Sequence, residues 1–425
     1  MISFFKKIIK NNNLQNKKSR GYFDNAGATQ MSDKVIKAFN EVLPIYGNPS
    51  GIHKEGVQAG IILDKARAVC AKVLNAHAYE IYFVGSGTES CNLAISGVYE
   101  DFIKNLKLEN KDFIPHVITS RIEHPAVLEP IYRLEKEGKI KVTYVPVYED
   151  GAVKVKDIRE SINENTILIS IMYANNEIGT IQPVKEIGRM IEEWKKENNR
   201  THTSYPYFYI DACQAGNYCN LDVVRLRAHL MTVNSSKVYG PKGIALLYKR
   251  EGIKISPIVL GGGQERSLRS GTENVAGAYS FGVALDDANE LREIESKKQR
   301  ELRDYMLEEL KNIIPEIVFY GAFDEYGQNK NLHKELRLPN NINCRIKGIS
   351  SEEMIIRLDN EGFAVSHKSA CSSQVEDGSY VIKALGASDI EANENIRISL
   401  GRYTTKKDID GLVKAIHKIF IKFAK

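Results

Sequence analysis

The sequence of 425 residues predicts an α/β fold with a large domain on a mostly parallel, seven-stranded sheet and a smaller α+β domain after it. Two observations support this prediction. Between about residues 80 and 260, continuous apolar runs alternate with amphipathic stretches, which is typical of parallel strands covered by helices on both faces. After residue 274 the chain changes to a long charged helical stretch and then to a mixed α+β region.

Seven short apolar runs rich in β-branched residues are the candidate strands. They are residues 80–84, 116–119, 141–147, 166–172, 207–210, 229–233 and 243–248. Apolar side chains at helical spacing predict a helix over residues 184–198. In such sheets, ligands bind beyond the carboxyl ends of the strands, so polar residues that follow a strand are the first candidates for a functional site.

We expect the chain to be organised in four segments. Residues 1–20 form a basic, disordered extension, and residues 21–32 join the small domain. Residues 33–288 form the large domain and residues 289–425 the small one. A long helical stretch over residues 276–313 crosses the boundary between them.

Charge and cysteine spacing exclude several classes of protein. Residues 1–20 hold six of the 59 basic residues and no acidic one, which leaves 53 basic against 54 acidic residues elsewhere and disfavours nucleic-acid binding. No apolar run of 18 residues predicts a membrane span. The six cysteines show neither C-x-x-C spacing nor a zinc pattern with histidine, so we expect free thiols and no metal site.

The first 20 residues mix apolar and basic side chains but lack the apolar core of a secretory signal. We expect a cytoplasmic protein, and organelle targeting by this stretch is the alternative.

A small-residue turn, Gly-Ser-Gly-Thr-Glu-Ser at residues 85–90, follows the first predicted strand and opens a helix. Such a turn lets backbone N–H groups and the helix N-terminus bind a phosphate. A tight strand-to-helix turn with a Ser or Thr cap is the alternative. The sequence lacks the third glycine of a dinucleotide fingerprint and has no G-x-x-x-x-G-K-[ST] loop, which disfavours nucleotide binding.

Asp211 and Lys237 each follow an apolar strand. A buried carboxylate at Asp211 needs a partner, such as a protonated ring nitrogen, although a helix cap or a local salt bridge would also satisfy it. Lys237 lies among small hydroxyl residues beside a rigid Gly-Pro turn, where an amine can form an imine with an aldehyde. An ordinary surface lysine is the alternative. Together the two residues suggest a pyridoxal phosphate site.

Further motifs appear in a specific order along the chain. They are residues 22–29 (YFDNAGAT), 47–50 (GNPS), 123–125 (EHP), 175–179 (NNEIG), 261–266 (GGGQER), 269–272 (RSGT) and 396–405 (IRISLGRYTT). In these motifs the sequence resembles the cysteine desulfurases of the class V aminotransferase group, which have the fold of fold-type I pyridoxal phosphate enzymes. The resemblance covers about 380 residues.

The resemblance implies a role for each matching cofactor residue. Lys237 matches the Schiff-base lysine, Asp211 the partner of the pyridinium nitrogen, and Gln214 the residue that bonds the phenolic oxygen. His124 matches the histidine that stacks on the ring and moves protons.

Phosphate and substrate ligands also follow from the resemblance. Residues that fall at the phosphate are Gly87, Thr88, Asn234, Ser236 and Thr272. The last of these comes from the opposite subunit in the family, which implies a homodimer. At positions 234 and 236 the family usually has Ser and His, so one potentially cationic ligand is missing here. Asn176 and Arg397 match the groups that hold the substrate's carboxylate.

Cys371 lies among small polar residues in a segment that resembles the family's mobile active-site loop. The resemblance implies that its thiolate takes sulfur from L-cysteine and releases alanine, with His367 and Lys368 favouring the thiolate. A buried, structural thiol is the alternative, and this interpretation is kept for the other cysteines.

The sequence therefore predicts a homodimeric cysteine desulfurase that passes sulfur to an acceptor protein, either an iron–sulfur scaffold or a thiolation carrier. The alternatives are a selenocysteine lyase, an aminotransferase, or a catalytically weak paralogue that acts as a partner protein. Cys371 favours the desulfurase, since an aminotransferase does not need it.

Overall fold

A computed structural model of the chain describes residues 20–105, 113–322, 336–367 and 378–423. The predictions made for residues 1–19 and for Cys371 fall outside the described residues. Among the described residues, no helix combines the length and the apolar character that a membrane span requires.

The described chain alternates strands and helices. The strands are β1 (Gly21–Tyr22), β2 (Ile81–Val84), β3 (His116–Ser120), β4 (Lys141–Val145), β5 (Thr166–Ser170), β6 (Tyr207–Asp211), β7 (Leu230–Asn234), β8 (Ala245–Lys249), β9 (Val318–Tyr320), β10 (Asn341–Arg345), β11 (Phe363–Ala364) and β12 (Asn395–Ser399). The helices are α1 (Asp33–Val42), α2 (Lys54–Leu74), α3 (Gly87–Asn105), α4 (Pro125–Lys136), α5 (Val155–Ser161), α6 (Val184–Glu197), α7 (Val223–Leu226), α8 (Val275–Ile313), α9 (Ser351–Asn360), α10 (Tyr380–Ala384), α11 (Asp389–Asn393) and α12 (Lys406–Phe423).

The large sheet has the strand order β2-β8-β7-β6-β5-β3-β4, and only β8 runs against the other strands. This confirms the predicted seven-stranded, mostly parallel sheet. The predicted strands at residues 141–147 and 166–172 end earlier, at Val145 and Ser170. Beyond Ser170 the chain still donates hydrogen bonds to β6, from Ile171 N to Tyr209 O (3.2 Å), but it leaves the regular ladder.

Two apolar clusters cover the two faces of the large sheet. Neighbouring residues of a strand belong to different clusters: Phe83, Ile118 and Phe208 pack in one, and Tyr82 and Val117 in the other. This alternation follows from the two-residue period of a strand. The carboxyl ends of the parallel strands therefore meet at one edge of a core that is packed on both sides.

The small domain contains the antiparallel sheet β12-β10-β9 and its own apolar cluster. Helix α8 connects the two domains, because Phe281 and Leu285 pack in the large-domain core whereas Met306 and Leu310 pack in the small one. The boundary at residue 288 stays a prediction, since α8 crosses it without a break.

The start of the described chain lies against both domains. Strand β1 pairs with β11 in parallel, and Phe23 is fully buried in the small-domain core. A few residues later, Thr29 N donates to Ser236 O (2.9 Å) at the end of β7. The segment that follows β1 therefore lies across the carboxyl edge of the large sheet.

A buried ion pair supports the edge of the sheet beside β2. Both terminal nitrogens of Arg67 donate to the carboxylate of Glu265 at 2.8 Å, and Glu265 Oε2 also accepts the Phe83 N–H at 2.9 Å. The two charged side chains are 8% and 2% exposed, so neither charge could be solvated if the other were removed.

We expect Arg67→Met to lower the free energy of unfolding by about 3–5 kcal/mol, because it leaves the Glu265 carboxylate buried without a counter-charge. The matched control is Arg159→Met, which breaks an exposed pair with Glu197 whose side chains are 40% and 56% exposed. We expect this control to lose at most about 1 kcal/mol. Urea denaturation compares the two variants, and equal losses would contradict the role given to the buried pair.

Candidate active site

A cleft opens at the carboxyl edge of the large sheet, where the small domain and the segment after β1 meet it. It brings together most of the residues that the sequence predicted for the site, from six different parts of the chain. These residues are Gly87, Thr88, His124, Asn176, Asp211, Gln214, Asn234, Lys237 and Arg397.

The amine of Lys237 lies in this cleft, and the start of the chain covers it. Lys237 ends a single 3₁₀ turn directly after β7, and its Nζ donates to Ala26 O (2.7 Å) and Gly27 O (2.5 Å). Gln214 Nε2 donates to the same carbonyl of Ala26 (2.9 Å). Neither Ala26 nor Gly27 is predicted from the sequence to have a role in the site. The motif at residues 22–29 indicates that this segment belongs to the site. The contacts themselves are made by main-chain carbonyls, which the side-chain types in a sequence do not predict.

Asp211 ends β6 with its side chain almost fully buried. Its Oδ1 accepts the N–H of Cys213 at 3.0 Å, and the Cys91 thiol lies 4.0 Å from Oδ2. Both of these contacts are to neutral groups. A cation placed beside this carboxylate would therefore be stabilised in its charged form.

His124 caps the N-terminus of α4, and its Nδ1 accepts the Ala126 N–H at 3.1 Å. The proton of the neutral ring is therefore on Nε2. Burial lowers the pKa of His124, with Lys237 and Arg397 acting in the same direction and Asp211 opposing them. The imidazole is thus neutral at neutral pH, and its Nε2–H is available as a donor.

The first turn of α3 forms a small cradle next to Asn234. A Cβ at Gly87 would lie 3.1 Å from Cys213 Sγ and 3.2 Å from Asn234 Nδ2, so a side chain here would press on both neighbours. Asn234 Oδ1 accepts from both the N–H and the hydroxyl of Ser236 (3.3 and 3.4 Å), which directs Nδ2 to the Gly87 side. Free N–H groups at a helix start bind anions well. Ser236 itself contacts Asn234 and does not line the cleft.

Arg397 approaches the cleft from β12 and is 1% exposed. Its Nη1 donates to Asn176 O (3.1 Å) and its Nη2 to Asp24 Oδ1 (2.7 Å). Within the described residues, Arg397 Nε and Asn176 Oδ1 have no hydrogen-bond partner. Buried polar atoms without partners are unfavourable. A ligand's carboxylate would accept from Arg397 Nε, and a donor on the same ligand, such as an amine, would satisfy Asn176 Oδ1.

The remaining predicted residues lie elsewhere. Thr272 is exposed and does not line this cleft, and Cys371 is outside the described residues. Cys91 and Cys213 also line the cleft, a position that their sequence context does not predict. Burial raises the pKa of both thiols well above the usual value, which keeps them protonated and unreactive.

The groups around the cleft fit pyridoxal phosphate. Lys237 offers an amine for the aldehyde, and Asp211 offers a buried carboxylate for a protonated ring nitrogen. The cradle at Gly87, which a Cβ would fill, suits a phosphate. Among the described residues, no cluster of His, Cys, Asp and Glu is arranged to hold a metal ion.

Comparisons with known proteins point to one family. The family model "Aminotransferase class-V" matches residues 21–412. The cysteine desulfurase IscS of Dictyoglomus turgidum is 38% identical over 402 residues, which are 94% of this chain and 94% of that protein. A solved NifS-like protein is similar with a TM-score of 0.82 and 33% identity, covering 95% of this chain and all of that one. The structure of SspA in complex with cysteine has a TM-score of 0.70 and 30% identity, covering 91% of this chain and 100% of that one.

We expect His124 to titrate below pH 6.5 in the folded protein, because burial disfavours the imidazolium. The folded state then binds this proton less tightly than the unfolded chain does. His124 therefore reduces stability only as the pH falls below the unfolded pKa of about 6.5. The Cε1 resonance that disappears in His124→Gln reports the titration, and a midpoint equal to that of the urea-unfolded protein would contradict the assignment.

Proposed function

This chain belongs to the class V aminotransferase family, and on that basis we propose that it is a pyridoxal-phosphate-dependent cysteine desulfurase. The reaction converts L-cysteine to L-alanine and leaves a persulfide on Cys371. One observation carries the proposal: the amine of Lys237 and the carboxylate of Asp211 share a single cleft with the unpartnered groups of Asn176 and Arg397. A cofactor site and a carboxylate site are therefore adjacent.

Five regions of the cleft hold the cofactor in this proposal. Asp211 binds the ring nitrogen, Gln214 the phenolic oxygen, and His124 stacks on the ring. The first turn of α3, at Gly87 and Thr88, holds the phosphate together with Asn234. When bound, pyridoxal phosphate supplies an aldehyde that condenses with amines and a ring that withdraws electrons from the substrate's Cα.

Arg397 and Asn176 bind the substrate's carboxylate. Arg397 Nε has a free donor position, and the guanidinium is held from both other sides by Asn176 O and Asp24. A guanidinium fixed in this way orients a carboxylate with little loss of side-chain entropy on binding. The α-amino acid thus enters with its carboxylate toward the small domain.

Lys237 and His124 move the protons. Lys237 Nζ is held by two neutral carbonyls, so an amine released from the aldehyde remains positioned at the cleft. His124 is neutral, and because its Nδ1 accepts the Ala126 N–H, the ring proton is on Nε2, which is the nitrogen that can donate a proton into the cleft.

Cys371 completes the sulfur transfer. Its thiolate attacks the substrate sulfur, so that an S–S bond forms as the substrate's Cβ–S bond breaks. The electron pair of the broken bond goes to Cβ, which takes up a proton to become the methyl group of alanine. The persulfide sulfur then passes to an acceptor protein, either an iron–sulfur scaffold or a thiolation carrier.

A homodimer is part of the proposal. Thr272 is exposed at the surface of the single chain, away from its own cleft, which supports a role at the phosphate of a second copy.

The direct test is the production of alanine and sulfide from L-cysteine by the purified protein loaded with pyridoxal phosphate. We expect Cys371→Ser to abolish sulfide release, because a serine hydroxyl does not form an alkoxide at neutral pH. The control is Cys344→Ala, which removes a buried thiol from the small-domain core and should keep the activity. Mass spectrometry after brief exposure to cysteine should find one extra sulfur on the peptide with Cys371. An extra sulfur on Cys213 instead would overturn the assignment.

Asp211→Asn removes the negative charge but keeps an oxygen that accepts from Cys213 N–H. We therefore expect the fold to remain and turnover to fall by at least about tenfold, which corresponds to roughly 1.4 kcal/mol of transition-state stabilisation. Circular dichroism controls for the fold. Turnover close to that of the wild type would remove Asp211 from the role of electron-sink partner.

A further inference from the structure

Two turns at the rim of the cleft carry the residues that meet the substrate. The histidine turn, residues 120–124, connects β3 to α4 and ends at His124. The asparagine turn, residues 175–179, contains Asn176, whose carbonyl accepts from Arg397. The two turns are about 50 residues apart in sequence, so their relative position depends on contacts between them.

The side chain of Asn175 joins these two turns. It is fully buried, and its Nδ2 donates to Ile122 O in the histidine turn at 2.9 Å. Its Oδ1 accepts the N–H groups of Glu177 (2.8 Å) and Ile178 (3.0 Å) in its own turn. One amide group therefore uses its donor end on one turn and its acceptor end on the other.

Main-chain hydrogen bonds of Asn175 also fix the backbone of the asparagine turn. Asn175 N donates to Thr180 O (2.9 Å), and Gly179 N donates to Asn175 O (3.0 Å). Gly179 has φ +76°, and a Cβ there would lie 2.9 Å from the side chain of Asn341. The turn consequently has little freedom of its own, and a shift of Asn175 would move Asn176 with it.

Helix α10 makes a second connection between the same two turns. Ser379 Oγ donates to Glu177 Oε2 (2.5 Å) in the asparagine turn, and Tyr380 OH donates to Glu123 O (2.8 Å) in the histidine turn. The two turns are thus held together from inside by Asn175 and from the small domain by Ser379 and Tyr380.

We propose that Asn175 is a positioning residue that sets the distance between the His124 imidazole and the carboxylate-binding pair Asn176 and Arg397. Asn175 does not line the cleft and acts only through these neighbours. The inference rests on the proposed function, in which the substrate is held at one turn and exchanges protons at the other. Misplacement of a reacting group by about 1 Å can reduce a rate by about 100-fold, so a single amide between the turns has a large effect.

Asn175→Asp separates this role from simple stability. The carboxylate keeps the acceptor for Glu177 and Ile178 N–H, so the asparagine turn and its hold on the substrate persist. It replaces the donor to Ile122 O with an oxygen, which disconnects the histidine turn. We expect kcat for L-cysteine to fall by about tenfold or more, with KM within about twofold of the wild type, because binding and proton transfer use different turns.

The matched control is Asn340→Asp in the small domain. Asn340 is also buried, and its Nδ2 also donates to a main-chain carbonyl, that of Leu400, at 3.0 Å. It should show a comparable loss of thermal stability with kcat and KM near the wild-type values. Tyr380→Phe is the second variant, since it removes one hydrogen bond to the histidine turn without adding a charge. It should lower kcat by about two- to tenfold, the effect of one hydrogen bond.

Two measurements on the cofactor-loaded protein complete the test. Exchange of the L-alanine α-proton in D₂O, followed by NMR, should slow in parallel with kcat in Asn175→Asp. The dissociation constant of L-alanine, measured by calorimetry, should stay within about twofold.

Equal kcat losses in Asn175→Asp and Asn340→Asp, or a loss confined to KM and alanine binding, would overturn the positioning role. Should Asn175→Asp fail to fold, an unchanged kcat in Tyr380→Phe would overturn it. A wild-type protein that makes no alanine from cysteine would overturn the proposed function, and the positioning role would fall with it.

Discussion

The amine of Lys237 is held by two main-chain carbonyls, those of Ala26 and Gly27, and the rest of the cleft is arranged around that contact. The segment that provides these carbonyls is itself fixed at its start by pairing between β1 and β11 of the small domain. Between these two points, Asp24 binds Arg397. A single short segment therefore contacts both the large and the small domain. It also binds the residues at the two ends of the cleft, Lys237 and Arg397.

The fold could be predicted in detail because its main signal is local. Apart from β4, which is partly exposed at the sheet edge, the strands of the large sheet are short apolar runs that are buried on both faces, and such a run can be seen without knowing its neighbours. The polar residue after such a run then lies at the carboxyl edge, which is why Asp211 and Lys237 could be placed in one site from sequence alone. The strand ends were less accurate: residues after Ser170 remain apolar and keep hydrogen bonds to β6 after the regular pairing has stopped.

Several features of the site could not be predicted because they depend on main-chain atoms or on distant partners. Any residue type presents a carbonyl, so the contacts of Ala26 and Gly27 with Lys237 leave no chemical signature in the sequence. The hydroxyl of Ser236, which is predicted at the phosphate, also donates to Asn234 Oδ1 and orients that amide, a contact that the sequence does not indicate. The role of Asn175 depends on which carbonyl its side chain reaches, and Ile122 lies 53 positions away along the chain.

Helix α8 has a consequence for how the chain loses its structure. It has 39 residues and is about 58 Å long at 1.5 Å per residue, with its first half in the large-domain core and its second half in the small one. If either core were to melt alone, the apolar side of the same helix would be exposed to water where that core had been. Because both cores pack on this helix, loss of structure in one core destabilises the other, and the two cores fold cooperatively. A catalytic cleft between two domains then has the stability of the whole chain and not that of its weaker half.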